Sequence, residues 1–159
     1  MPSFLGDYKG AAPNRESLFK RAVNSYLKQS LPEEERELIC ISDGCQKTID
    51  ILEKIYDKKL ASGTIKLIKL PRHAVFTGTV RQAGCEAASG DILCNLDTDD
   101  QILPNHLQNI DACFDPARLD WVYWNPITKP DDLQDVEFYS DIEPRLGSRH
   151  RRVLAPGDG

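Results

Sequence analysis

Residues 37–44 read Glu37-Leu38-Ile39-Cys40-Ile41-Ser42-Asp43-Gly44, and this stretch decides the fold class. Its four consecutive apolar residues are too few for a helix and too continuous for an exposed strand, so they predict a buried strand of a parallel sheet. A second stretch has the same form, because the largely apolar residues 91–96 run directly into Asp97-Thr98-Asp99-Asp100. Both stretches therefore predict a buried strand that ends in carboxylates.

Helices and strands alternate around these two stretches. The spacing of apolar residues predicts helices near residues 14–29, 49–56, 80–88 and 104–114, the first of them capped by the side chain of Asn14. Further apolar runs predict strands at 65–70 and 121–124. This order predicts an α/β fold of the Rossmann-like kind, a mostly parallel sheet flanked by helices. Ligands of such sheets bind beyond the carboxyl ends of the strands, so we expect Asp43 and Asp97 at one edge.

The composition excludes several classes of protein. The 159 residues, of which 40% are hydrophobic, suffice for one domain with one core. The net charge of -5 provides no positive field for a polyanion, so we expect no nucleic-acid partner. No apolar run is long enough to span a membrane and no export signal is recognisable, which predicts a soluble, cytoplasmic chain with at most peripheral membrane contact. The five cysteines lack zinc-ligand spacing, so we expect them to be small core residues.

Three carboxylates lie within four residues, at Asp97, Asp99 and Asp100. Like charges that close together raise the cost of ionisation unless a cation is shared, and Mg²⁺ and Mn²⁺ prefer such oxygen ligands. The pattern alone leaves a second interpretation open, in which an aspartate only caps the turn before the next helix. Asp43 could likewise serve a structural turn, and Arg81 could be a solvated surface cation.

In their order and intervals, the segments resemble the family-two glycosyltransferases with the A-type fold, the nucleotide-diphospho-sugar transferases. The matching stretches are Pro2-Ser3-Phe4, Gln29-Ser30, residues 37–44, Arg81-Gln82-Ala83-Gly84, Ala88 to Leu93, and Leu96 to Asp100 with Pro104 and Leu107. The resemblance predicts a nucleotide-sugar-binding α/β domain over residues 1–124. Residues 125–159 are expected to form an irregular acceptor-side or tail segment and no independent domain.

The resemblance implies a metal-dependent glycosyltransferase of the hexosyltransferase type, acting in polysaccharide biosynthesis. Such an enzyme moves a sugar from a nucleotide-diphospho-sugar donor to an acceptor hydroxyl and inverts the configuration at the anomeric carbon. The acceptor is left open as a saccharide, a lipid-linked molecule or a protein, and so is the oligomeric state. The implied nucleotide-binding residues are Ser3, Phe4, Asp43, Arg81 and Asp97, and Mn²⁺ or Mg²⁺ would be held by Asp99 and Asp97.

Two departures from the family pattern predict a truncated chain. Only Met1 precedes the Pro-Ser-Phe stretch, where the family has a central strand. No Glu-Asp pair, the family's usual general base, follows Asp100, and the acids left as candidates are Glu137, Asp141 and Glu143. We therefore expect the chain to bind a nucleoside diphosphate but to transfer sugar weakly or not at all.

Three other functions are alternatives to a glycosyltransferase. The main alternative is a nucleotide-sugar-binding module without catalysis. A phosphatase that uses Asp-x-Asp is disfavoured, because its motif follows the first strand of the chain, and a calcium loop is excluded by residues 102–104. The basic run at residues 149–152 is expected to be an exposed part of the tail.

Overall fold

A computed structural model of the chain describes residues 1–72, 77–114, 121–123 and 145–147. The chain forms two compact units, Met1–Gln108 and Asn109–Gly159, and the domain boundary expected at residue 124 stays a prediction. In chain order the elements are β1 (Pro2–Ser3), α1 (Arg15–Leu27), a 3₁₀ turn (Glu33–Glu35), β2 (Leu38–Asp43), α2 (Gln46–Ile55), α3 (Asp57–Ala61), β3 (Ile65–Leu70), α4 (Thr77–Glu86), α5 (His106–Cys113), β4 (Trp121–Tyr123) and β5 (Arg145–Gly147).

The first unit contains a parallel three-stranded sheet in the order β1-β2-β3. All six residues of β2 are buried, and β2 pairs with β3 along its whole length, from Leu38 opposite Ile65 to Asp43 opposite Leu70. On the other side β1 is only two residues long. Its ladder is extended by Met1, whose ammonium group donates to the Ile39 carbonyl at 2.7 Å and whose carbonyl accepts from the Ile41 N–H at 3.0 Å.

Helices cover both faces of this sheet, as the sequence predicts. One face of β2, with Leu38 and Cys40, packs in a cluster with apolar residues of α1 and α2, including Phe19 and Leu52. The alternate residues Ile39 and Ile41 pack on the opposite face with Val80 of α4. Because both faces are buried, β2 needs the continuous apolar sequence from which its position is predicted.

The predicted helices and three of the four predicted strands are confirmed within the described residues. Helix α1 lies where the spacing places it, although Asn14 makes no side-chain cap. Helix α3 is followed by Gly63 at φ +80°, a conformation that favours glycine. Helix α4 begins at Thr77, three residues before the predicted start. In the second unit β4 occupies residues 121–123 and pairs with β5 in an antiparallel ladder.

The strand predicted at residues 91–96 is wrong. This segment has no regular secondary structure, and Leu96 is its one fully buried side chain, whereas Leu93 is 56% exposed. A strand requires partners for its backbone N–H and C=O groups, and β1 offers only two residues beside β2. An apolar run without such a partner does not form a ladder.

The expectation for the cysteines is only partly confirmed. All five are free, with Cys40 and Cys45 buried, but Cys85 and Cys94 are exposed. The exposed pair lies near the end of α4 and in the irregular segment, where the predicted strand would have buried Cys94. Within the described residues, no helix has both the length and the apolar character needed to cross a membrane.

Candidate functional site

A pocket of about 580 Å³ opens at the carboxyl edge of the three-stranded sheet. Strands β1 and β2 end at this pocket. It is also lined by Arg72, which follows β3 and Pro71, by residues in the first turns of α4, and by residues 97–99. All six residues that the sequence predicts for the nucleotide and the metal line this pocket: Ser3, Phe4, Asp43, Arg81, Asp97 and Asp99. Asp43 and Asp97 therefore open onto one edge, although the strand predicted before Asp97 does not form.

The turn after β2 sets the position of Asp43. The Ser42 hydroxyl donates to the Cys45 carbonyl at 2.9 Å and accepts from the Cys45 N–H at 3.1 Å, which closes a tight turn into α2. Gly44 has φ +60°, and a Cβ atom there would lie 2.7 Å from the Arg72 backbone nitrogen. Only glycine fits this position, and its absent side chain lets Arg72 approach Asp43.

Arg72 joins two of the predicted site residues. Its guanidinium forms an ion pair with the carboxylate of Asp43, which is only 6% exposed, and its central carbon lies 3.4 Å from the centroid of the Phe4 ring. The stacked guanidinium and the charged hydrogen bond connect the three side chains in one cluster. Arg72 was not among the site residues predicted from the sequence. The pairing of Asp43 with Leu70 would have indicated it, because it puts the residues after β3 beside Asp43.

Arg81 pairs with Asp97 on the other side of the pocket. Its Nη2 atom donates to both carboxylate oxygens, at 2.7 and 2.8 Å, while its buried Nε has no hydrogen-bond partner among the described residues. The two side chains are 41% and 43% exposed, so the pair contributes little to the free energy of unfolding. Its effect is local, since it fixes the orientation of both groups and leaves Arg81 with an unused donor.

Asp99 and Asp100 differ in their surroundings. Asp99 lines the pocket and is exposed, and within the described residues its carboxylate makes no hydrogen bond or ion pair. Asp100 does not line the pocket. Partial desolvation, followed by the negative charges of Asp99 and Asp97, raises the pKa of the Asp100 carboxyl.

The side chains near Asp97 and Asp99 decide whether a metal ion fits this site. In the part of the chain that the structure describes, no group of three Asp, Glu, His or Cys side chains converges to hold a metal. Mg²⁺ and Mn²⁺ sites commonly use one or two carboxylates and complete the shell with water and substrate phosphates. Asp99 with Asp97 fits that smaller requirement, and metal binding stays a prediction.

Ser3 and Arg15 shape the floor of the pocket and one of its walls. Ser3 is 2% exposed, and its hydroxyl shares a 2.8 Å hydrogen bond with the Thr48 hydroxyl, so its side chain is already engaged in the interior. Arg15, which the sequence analysis missed, donates to the carbonyls of Phe4 and Gly6 and lies 4.6 Å from the centroid of the Tyr8 ring. These contacts hold the segment after β1 against α1.

The candidates for the general base lie outside the described residues. Glu137, Asp141 and Glu143 all belong to that part of the chain, and so does the basic run at residues 149–152. Their roles stay predictions.

Comparisons with known proteins agree with the fold. The model of the family described as Glycosyl transferase family 2 matches residues 11–152. The structure of S. aureus TarS 1-349 in complex with UDP has a TM-score of 0.55 and 23% identity, over 70% of this chain and 29% of that one. The complex with UDP-GlcNAc gives 0.55 and 23%, over 70% and 28%. Another structure of S. aureus TarS gives 0.53 and 25%, over 62% and 17%.

These matches share the fold with a part of each solved chain. The protein spans less than a third of the length of the solved TarS chains. No curated protein gave a significant match.

Proposed function

The chain belongs to glycosyl transferase family 2, and from that premise we propose that it transfers a sugar from a nucleotide-diphospho-sugar to an acceptor hydroxyl with the help of Mn²⁺ or Mg²⁺. One observation carries this proposal. A single pocket gathers an aromatic ring, a buried carboxylate, three arginines and an aspartate that is unpaired in the described part of the chain, all at the carboxyl edge of a parallel sheet. A nucleoside diphosphate needs the same set of groups, since it combines a flat base with two negative phosphates.

The base side of the pocket is formed by Phe4, Asp43 and Arg72. A ring face is available for stacking with a base, and a carboxylate can accept from a base N–H. Arg72 now makes both contacts, because it stacks on Phe4 and donates to Asp43. In the proposed complex the base shares these contacts with Arg72, and the burial of Asp43 makes its hydrogen bond selective.

The phosphate side is formed by Arg81, Asp97 and Asp99. Arg81 lines the pocket with a partly exposed side chain, and the planar guanidinium suits phosphate geometry. Asp99, helped by Asp97, would hold the metal ion, which would supply positive charge to the diphosphate as it leaves. Desolvation is the main cause of the raised pKa of Asp100, and the negative charges of Asp99 and Asp97, which add to it, are ones that a cation would relieve.

The first experiment measures release of nucleoside diphosphate. S. aureus TarS has been crystallised with UDP and UDP-GlcNAc, so uridine nucleotides are the first donors to try. We expect slow, Mn²⁺-dependent release of UDP from a UDP-sugar by the wild type, in keeping with the weak transfer expected from the sequence. The Asp99→Asn variant should lose this release, because its amide cannot replace the charge of a metal ligand.

The matched control is Asp91→Asn. Asp91 is exposed, lies in the same irregular segment and does not line the pocket, so its substitution should leave release unchanged. Binding of UDP and Mn²⁺ without any release from UDP-, GDP- or ADP-sugars would favour the binding module over the transferase. Absence of both binding and release for every donor would contradict the proposal.

A further inference from the structure

Three polar residues spaced four apart contact the segment that carries the aspartates. Arg21 and Ser25 lie on α1, and Gln29 follows immediately after Lys28, the C-cap of the helix. Arg21 Nη2 donates to the Asp99 carbonyl at 2.7 Å, and the Ser25 hydroxyl accepts from the Ile102 N–H at 3.2 Å. The spacing places the three side chains on one stripe of the helix, because residues four apart are neighbours on its surface.

Gln29 continues the same series of contacts. Its Nε2 atom donates to the Leu103 carbonyl at 2.6 Å, and its Oε1 atom accepts from the Leu107 N–H at 2.9 Å. The amide also donates to the carbonyl of Ser25 at 3.0 Å, and it is only 6% exposed. Both ends of the Gln29 amide are therefore fully used, and each interaction is with backbone.

The segment held in this way has further contacts with neighbouring elements, because the Ser30 N–H donates to the Pro104 carbonyl at 2.7 Å and Ile102 packs against the core. Between Glu86, the last residue of α4, and His106, the first residue of α5, the chain forms no helix or strand. The backbone around Asp99 therefore depends on contacts with its neighbours. A carboxylate on an unsupported segment would have to be ordered when a ligand binds, and that ordering costs free energy.

We propose that Arg21, Ser25 and Gln29 are positioning residues that hold the backbone of residues 99–107, so that the Asp99 carboxylate is already at the pocket when the metal ion and nucleotide bind. The three residues act through the backbone and touch neither ligand. This inference rests on the proposed function, because it concerns the same site. It adds a part of α1 that the sequence analysis did not connect with binding.

The first arm of the test uses no ligand. Arg21 is exposed, so Arg21→Ala should fold, and hydrogen exchange of the wild type and the variant can be compared amide by amide. We expect exchange at Asp100 and Ile102 to be about fivefold faster in Arg21→Ala, since a hydrogen bond contributes about 1 kcal/mol net. Neither amide bonds to Arg21 itself, so faster exchange there would show that the backbone has loosened. Unchanged exchange at both amides would overturn the proposal.

The second arm measures Mn²⁺ affinity by calorimetry in the presence of UDP. Loss of a positive charge near Asp99 should, by electrostatics alone, tighten the binding of a cation. Positioning predicts the opposite sign, a Kd about fivefold higher in Arg21→Ala, the same factor as expected for the exchange. Arg21→Lys keeps a donor and the charge and should recover most of the affinity. Lys28→Ala removes a charge from an exposed residue at the end of the same helix and should have no effect.

The outcomes separate this proposal from the proposed function. Unchanged or tighter Mn²⁺ binding by Arg21→Ala would overturn the positioning role, even if exchange were faster. A wild type that bound no Mn²⁺ with UDP, GDP or ADP would contradict the proposed function, and the positioning role would fail with it. Faster exchange together with weaker Mn²⁺ binding, recovered by Arg21→Lys, would support both.

Discussion

At the scale of single residues, the adjacent aspartates Asp99 and Asp100 differ in how accessible their carboxylates are to a ligand in the pocket. Asp99 is exposed on the pocket with an unpaired carboxylate in the described structure, whereas Asp100 is off the pocket and its N–H donates to the Asp97 carbonyl at 3.2 Å. The backbone of Asp100 is thus part of the turn that presents Asp97. The carboxylate of Asp99 is the one available to a ligand.

This difference predicts unequal effects of two substitutions. Asp99→Ala should abolish Mn²⁺-dependent binding of UDP, because it removes a proposed metal ligand. Asp100→Ala should weaken it by less than about tenfold, since its side chain acts only through its charge and its turn. Isothermal calorimetry of both variants and the wild type checks the order. Equal affinities for the wild type and Asp99→Ala would refute it.

The sequence predicted the residues that line the pocket better than the arginines that contact those residues. The shared direction of parallel strands placed Asp43 and Asp97 at one edge, and the family resemblance implied Ser3. Arg81, which pairs with Asp97, was implied by the family resemblance, but Arg72 and Arg21 could not be found from local pattern. Arg72 reaches Asp43 through strand register, and Arg21 reaches Asp99 across 78 positions of sequence.

At the scale of elements, the turn between β2 and α2 depends on a close approach of backbones. Gly44 and Gly63 both have positive φ, at +60° and +80°. A Cβ atom on Gly44 would meet the Arg72 backbone at 2.7 Å, whereas nothing lies within 4 Å of such an atom on Gly63. An alanine at Gly63 would therefore meet only the cost of the left-handed conformation, whereas an alanine at Gly44 would meet that cost and a steric clash.

We predict that Gly44→Ala destabilises the chain more than Gly63→Ala. Alanine in the left-handed region costs about 1–2 kcal/mol at either site. Gly44→Ala adds the displacement of Arg72, which should also weaken UDP binding by separating Arg72 from Asp43. Urea unfolding of both variants measures the difference. Similar free energies of unfolding would show that the Arg72 backbone moves away without cost.

The elements also show where apolar pattern is sufficient and where it fails. The run at residues 38–41 became a strand because β3 pairs with it over six residues and both of its faces are covered. The run at residues 91–96 has similar apolar character but no ladder of that length beside it. Pattern predicts which residues prefer burial, and the available partner decides whether a strand forms.

At the scale of the whole first unit, Glu37 connects three parts of the fold. Its carboxylate accepts from the N–H and the hydroxyl of Ser89, at 2.6 and 2.9 Å, and from the Gly90 N–H at 3.3 Å. Its second oxygen pairs with Lys66 of β3 at 2.5 Å. Desolvation acts to raise the pKa of Glu37, but these hydrogen bonds outweigh it and lower the pKa to about 2.

This lowered pKa predicts a specific acid sensitivity. A carboxyl with a lower pKa in the folded state stabilises the fold above its unfolded value of 4.5, and this stabilisation is lost as the pH falls toward about 2. Glu37→Gln should therefore be less stable than the wild type at pH 6, with the difference shrinking between pH 4.5 and 2. Urea unfolding across this range measures it, and the exposed Glu34→Gln is the control. A difference independent of pH would contradict the assignment.

Lys66 has a further effect through its position on β3. Within the described structure β3 is the edge of the three-stranded sheet, and an open edge is a template on which another chain can add a strand. Lys66 and Lys69 are three residues apart and so extend from opposite faces of the strand, where they pair with Glu37 and Glu53. A second chain that paired with this edge would have to desolvate Lys66 on one face of the strand and Lys69 on the other. The ion pairs that tie β3 to its neighbours thus also discourage self-association into extended sheets, and they link the solubility of the folded chain to the charge of two lysines.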